Sequence, residues 1–245
     1  MKKPLHHNKI LLKIITFFVI ILLASSCQSE NALTTKSYEL PDFSSFVFNG
    51  IGNLTIVQSE INSLTITAEP RFLDRIVYKL EDGVLSIEES EQLSLITLNP
   101  QFSIQFHITV NDLESIQFNG AGTLTGTGLT GEKLSVLQNA VGNITLDGLN
   151  YRTVNLQLFG GGLVRLNGMA GEQNIDINGA VILDSANLQS SVVNAKLSGT
   201  SRAIVWVTDI LNVETDELSI FQFYGSPQGM YLGEHPENVG LLGNK

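Results

Sequence analysis

From Phe46 onward, apolar and polar residues alternate: Phe46 and Phe48, Leu54 and Ile56, then Leu64 and Ile66 are each separated by one residue. A period of two predicts strands that bury one face. The clearest case is Phe102, Ile104, Phe106, Ile108 and Val110, interleaved with Ser103, Gln105, His107 and Thr109. Asn49-Gly50 and Asp82-Gly83 are strong turn dipeptides between such runs. Residues 72–77 have the spacing of a helical turn, but Val77-Tyr78-Lys79-Leu80 continues as strand, so the stretch is read as strand. The alternation fades between residues 90 and 100, which predicts a loop there.

A second pattern is superimposed on the first. Asn119-Gly120-Ala121-Gly122 returns as Asn139-Ala140-Val141-Gly142, Phe159-Gly160-Gly161-Gly162, Asn178-Gly179-Ala180 and Ser198-Gly199-Thr200, at steps of 20, 20, 19 and 20 residues. A fixed period of this length marks stacked repeats, each burying its apolar face against its neighbours. Stacking the copies on their glycines yields four apolar columns. Ile116, Val136, Leu156, Ile175 and Ala195 form the first, and Phe118, Gln138, Leu158, Ile177 and Leu197 the second. Leu124, Ile144, Val164, Leu183 and Ala203 form the third, and Leu129, Leu149, Met169 and Leu188 the fourth.

Such columns predict parallel, in-register strands about 4.8 Å apart. With no helical segment between strands, the units predict a parallel β-helix of about 20 residues per coil rather than a leucine-rich horseshoe. Asn49, Asn119, Asn139 and Asn178 precede turn positions, where stacked amides can bond between layers. Phe159 and Ser198 interrupt that ladder. Residues 46–110 are expected to form an atypical N-terminal cap. At the other end, Phe221-Gln222-Phe223-Tyr224-Gly225-Ser226-Pro227 breaks the period.

The N-terminus has a different character. Lys2, Lys3 and Lys9 precede an apolar stretch over residues 10–24, interrupted by Lys13, and Ser25-Ser26 leads into Cys27. These are the charge, length and small-residue marks of a secretory signal, and Lys13 leaves too short an apolar run to span a bilayer. Leu23-Ala24-Ser25-Ser26-Cys27 resembles the bacterial lipobox, whose cysteine is acylated and becomes the mature N-terminus. Cys27 is therefore the expected lipid attachment residue, anchoring the protein to a membrane rather than spanning it. As the single cysteine, it excludes an internal disulfide. Gln28, in place of an aspartate retention signal, favours the outer membrane, with surface or periplasmic exposure left open.

Removal of residues 1–26 takes four lysines and no acid, leaving ten basic against 24 acidic side chains. That balance excludes nucleic acid as a partner and disfavours anionic headgroups. Catalytic chemistry is equally sparse. His107 and His235 are the mature histidines and lack metal-ligand spacing. Asp147, Asp176 and Asp184 occupy different repeat offsets, as do Arg152, Arg165 and Arg202, so no facing carboxylate pair for glycoside hydrolysis is expected. Asp209, Glu214, Asp216 and Glu217 form an acidic cluster without a recognised calcium loop. Gly160-Gly161-Gly162 lacks the lysine and helix of a phosphate loop. Trp206, Phe159 and Tyr151 are candidate sugar-stacking residues, with Trp206 expected to be buried. No catalytic residue, cofactor or metal is expected.

Asn49-Gly-Ile-Gly-Asn-Leu-Thr-Ile56, Asp82-Gly-Val-Leu-Ser-Ile87, Leu113-Glu-Ser-Ile-Gln-Phe-Asn-Gly-Ala-Gly122, the later glycine copies and Tyr224-Gly-Ser-Pro227 occur in fixed order. In this the chain resembles the putative autotransporter adhesin, head GIN domain family of bacterial envelope proteins. The resemblance implies a right-handed single-stranded β-helix, often on a lipoprotein, with no catalytic residues to transfer. Ala140-Val141, Ala180-Val181 and Thr200-Ser201 depart from the regular Ser-Gly-Ala-Gly corner.

The expected organisation is thus a lipoprotein signal peptide at 1–26, a polar tether at 27–40, an all-β solenoid at 41–228 and an irregular tail at 229–245. The expected function is that of a lipid-anchored, non-enzymatic envelope adhesin or binding platform for a glycan or protein. A carbohydrate-active β-helix enzyme and a structural assembly factor are the alternatives.

Overall fold

The computed structural model describes residues 32–89 and 104–245. The chain divides into two units, Met1–Leu33 and Thr34–Lys245, and the sheet lies in the second. Cys27, the signal segment, the loop expected after residue 90 and Phe102 lie outside the described residues.

The fold is all-β: strands account for 75% of the described residues and helix for 4%, so the core is built chiefly by a curled, half-barrel sheet. Among the described residues its fifteen strands are β1 (Thr34–Glu39), β2 (Ser45–Asn49), β3 (Ile51–Gln58), β4 (Ser63–Ala68), β5 (Ile76–Glu81), β6 (Val84–Glu89), β7 (Gln105–Val110), β8 (Ser115–Phe118), β9 (Ala121–Thr127), β10 (Thr130–Gln138), β11 (Gly142–Gly199), β12 (Arg202–Thr215), β13 (Ile220–Tyr224), β14 (Gly229–Leu232) and β15 (Val239–Gly243). Among the described residues one α-helical turn, α1 (Pro70–Leu73), and one 3-10 turn (Pro236–Asn238) interrupt them. Residues 72 and 73 therefore belong to a helix and not to the expected strand. Pro70 explains this, because its fixed φ suits the first helical position after the extended Glu69.

The twenty-residue period is the pairing register. Ser115 pairs with Ser135 and Phe118 with Gln138 in parallel. Leu134 then pairs with Val154 and Leu158 with Gln138, while Ile144 pairs with Leu124 and Ala203 with Leu183. Residues 45–58 belong to the same parallel stack despite their distance in sequence: Phe46 pairs with Ile116 and Leu54 with Leu124. Residues between those strands supply a further parallel layer, β6 on β2 and β7 on β3. Antiparallel β1, β4 and β5 follow outside it. The atypical region expected at this end is thus partly regular.

Columns one to three are buried as expected, from Ile116 and Phe118 through Leu124 to Ala203. The fourth is buried at Leu129, Leu149 and Leu188 and fails at one member: Met169 is 55% exposed and Ala170 is buried instead. The slip falls at Gly168. With φ of +130° it lies directly on Leu149, where an added Cβ would sit 2.6 Å from the Leu149 nitrogen, so the glycine and not Met169 is stacked on that member of the column. Aromatic rings consolidate the core near the first layers, with Phe48 stacked on Phe118 at 5.7 Å and edge-on to Phe106 at 5.3 Å.

Three of the four expected corner asparagines, Asn49, Asn119 and Asn139, bond between layers. Asn119 Nδ2 donates to Asn49 Oδ1 at 2.7 Å, and Asn139 Nδ2 to Asn119 Oδ1 at 3.0 Å, so Asn49 belongs to the ladder. Asp82, with φ of 50°, and Gly83 make the tight turn of the β5–β6 hairpin.

Two expected boundaries are corrected. The polar stretch read as a tether pairs from Thr34 as β1, an edge strand whose two faces are both largely exposed, so it carries no alternating pattern. The tail read as irregular contains β14 and β15, which pair with β12 and β13. Their shortness, four and five residues, hides the period.

Candidate functional site

Along the first column, the residue before each core position points outward. Asn155, Asn174, Asn194 and Asn212 occupy that place beside Leu156, Ile175, Ala195 and Val213. Their amides form a second, longer ladder: Asn174 Nδ2 donates to Asn155 Oδ1 at 3.0 Å, Asn194 to Asn174 at 2.8 Å and Asn212 to Asn194 at 2.8 Å. Asn194 also donates to Glu172 Oε1 at 2.9 Å. The ladder forms part of the lining of a groove of about 720 Å³ with Ser115, Ser135, Asp176, Lys196, Glu214 and Tyr231. An amide carries two N–H donors and two lone pairs. The ladder uses one N–H and one lone pair of Asn174.

Charge along the groove is mixed. Lys196 Nζ lies 3.9 Å from Glu214 Oε2, an exposed pair worth little to stability but able to orient both groups. A smaller cleft of about 450 Å³ shares Lys196, Glu214 and Tyr231 and adds Asp216, Glu217, Glu234 and His235. His235 Nδ1 lies 3.0 Å from Glu237 Oε1, and that hydrogen bond holds the imidazole above its ordinary pKa.

The acidic cluster resolves into separate jobs. Asp216 accepts backbone N–H bonds from Gly199 at 2.7 Å, Ser219 at 2.9 Å and Leu218 at 3.1 Å, which lower its pKa, the Gly199 bond most. It is a turn brace. Among the described residues no three His, Cys, Asp or Glu side chains come together in a metal-binding group.

The other sequence candidates are dispersed. Asp176 lines the groove, whereas Asp184 pairs with Arg165 at 3.3 Å and Asp147 accepts a bond from Asn167. Arg152 faces Glu132 at 3.8 Å, and Arg202 donates to Gln222. His107 is exposed on β7. Phe159 is half-buried at its corner, and Gly160 and Gly162 are corner glycines with φ of 123°.

Two aromatic expectations change. Trp206 is only half-buried: Val205 and Val207 take the inward positions, and alternation sends Trp206 outward beneath Lys245, whose Nζ lies 5.5 Å from the indole and 4.8 Å from the Tyr224 ring. Tyr151 is buried and offers no stacking face. Its hydroxyl donates to the Leu113 carbonyl at 2.9 Å, and burial, aided by the nearby Asp112 charge, pushes its pKa far above the usual tyrosine range.

Because the folded phenol keeps its proton to higher pH than the unfolded one, its stabilising contribution is intact below about pH 10 and is lost as pH rises through the folded pKa. Tyr151→Phe is expected to cost about 1 kcal/mol near neutral pH and to flatten the alkaline loss of stability. Urea unfolding near neutrality and above about pH 10 measures both effects.

The amide ladder escaped the sequence reading. Asparagine at steps of 19, 20 and 18 residues was its signal, one place before the first apolar column.

The family model for the putative auto-transporter adhesin, head GIN domain, matches residues 42–227. The chain belongs to this family. Solved structures share the fold at low identity. A putative adhesin from Bacteroides fragilis NCTC 9343 has 22% identity and a TM-score of 0.77, covering 87% of this chain and 97% of that one. A putative adhesin from Parabacteroides merdae ATCC 43184 has 16% identity and a TM-score of 0.56, covering 86% and 95%. A putative lipid binding protein from Parabacteroides distasonis ATCC 8503 has 13% identity and a TM-score of 0.60, covering 86% and 96%. No curated protein matches the chain by sequence. The head GIN match covers the parallel strands from β2 to β13, leaving β14 and β15 outside it, and every residue of the groove but Tyr231.

Proposed function

We propose that this head GIN chain is a lipid-anchored, non-enzymatic protein of the bacterial cell envelope, held at the outer membrane through Cys27. Its groove binds a glycan or a protein segment. In this reading the layers are the coils of a right-handed parallel β-helix, which the in-register pairs twenty residues apart support. The observation that carries the binding reading is the ladder of Asn155, Asn174, Asn194 and Asn212 along an open groove. Repeated amides at a fixed spacing suit a ligand with regularly repeated hydroxyl or peptide groups. The family description and the adhesin names of the B. fragilis and P. merdae structures support attachment rather than turnover.

The test is to incubate the full chain with purified envelope polysaccharides, host glycans and surface proteins. Retention of ligand and release of new reducing or unsaturated ends are measured together. Retention without new ends is the expected result. New ends would replace this reading with the enzymatic one, and retention of none of the ligands would remove it. Phospholipid vesicles form a further arm, because one structural neighbour is named as a lipid binding protein; retention on vesicles alone would also count against the reading.

A further inference from the structure

The core is closed at one end of the sheet and open at the other. On the side of β1, β4 and β5, helix α1 buries Phe72 and Leu73. The outer strands there carry charges, Lys36 and Glu39 on β1 and Lys79 and Glu81 on β5, which discourage further pairing. On the opposite side, β14 pairs only with β12 and β15 only with β13 among the described residues. Their sequences, GMYL and VGLLG, contain no charge.

These last strands continue the core columns. Met230 pairs with the buried Leu211, and Leu241 with the buried Phe223, so both project to the core side of the sheet. There they are 58% and 61% exposed. Leu232 and Val239 beside them are only partly covered. Apolar core positions and unpaired strand edges coincide, whereas a stack that ends in water requires a polar terminal layer.

We propose that this end is a homodimer interface, on which a second copy of the chain packs its own β14 and β15 about a two-fold axis. The occupant has to present an apolar surface and a strand edge together, at the same spacing. A second copy presents both, and a two-fold contact sets the same patch against itself. The charge distribution favours that arrangement. The chain carries a net charge of −10, so most faces of two copies repel, but these two strands bear no charge that would meet its like. The axis reverses strand direction, so the facing edges meet antiparallel, a pairing that needs no connecting segment.

Sedimentation of the full chain in a mild detergent tests this. A concentration-dependent dimer is expected, and Met230→Lys with Leu241→Lys should halve the mass while the β circular dichroism is retained. Val141→Lys, at an exposed apolar residue elsewhere, should leave the dimer intact. Amide hydrogen exchange on the unmodified chain covers the case in which the double variant fails to fold: protection in β14 and β15 should fall on dilution while that in β9 and β10 stays unchanged. A monomer at every concentration, a dimer that survives the double substitution, or protection in β14 and β15 insensitive to dilution would overturn the proposal.

Discussion

Replacing Gly162 with alanine is expected to destabilise the protein by at least about 3 kcal/mol, while the same change at the adjacent Gly161 shifts stability by less than about 1 kcal/mol. The two residues share one corner and differ in what lies over them. Gly162 has φ of +123°, and an added Cβ would press into the Gly142 carbonyl, 3.0 Å from its carbon. That carbonyl belongs to the layer before, so relief requires the strands to separate. At Gly161 the nearest atoms to a new Cβ are the Ala180 oxygen at 3.6 Å and Val141 Cγ2 at 3.9 Å, ordinary contacts. Urea midpoints of the two variants measure the difference. Equal midpoints would show that the layers are not held at the close spacing described.

Cys27→Ser is expected to move the protein from the membrane fraction to the soluble one almost completely. The proposed anchor depends on acyl chains carried by that sulfur, each buried methylene contributing about 0.8 kcal/mol, and serine removes the attachment point. The chain's acidic balance gives it no compensating attraction to anionic headgroups. Fractionation of cells expressing both forms measures this. Retention of the serine variant in the membrane would refute the lipoprotein assignment.

Much of the fold could be read from the residues because burial and chain geometry impose the same periods. Alternation of two located Phe46, Phe48, Leu54 and Ile56, and spacing of about twenty brought Ile116, Val136 and Leu156 into one column that the sheet buries. Reading failed where that coupling is absent. In β1, Thr34 to Glu39 lie at an edge with little covering either face, so no pattern marks them as a strand. Met169 follows Gly168, which takes the place over Leu149, a feature of packing between layers that one repeat does not reveal.

Trp206 lies in the apolar run Ala203-Ile204-Val205-Trp206-Val207, which points to burial, although Val205 and Val207 on either side already fill the inward positions. The groove was the hardest to read. Its asparagines face outward, where no apolar period draws attention, and only the stacking of Asn155, Asn174, Asn194 and Asn212 makes them a continuous surface. The corner ladder through Asn119 was found because it accompanies the glycines.

The central claim is that this amide surface carries binding. The direct measurement is the affinity of the full chain for the ligand retained in the screen, compared with that of the Asn174→Leu, Asn194→Leu double variant. Both positions are half-exposed on a face outside the core, so the β circular dichroism should be unchanged. Loss of the hydrogen bonds they offer, about 1 kcal/mol each, predicts a fall in affinity of roughly tenfold or more. Unchanged affinity in a folded double variant would contradict the account.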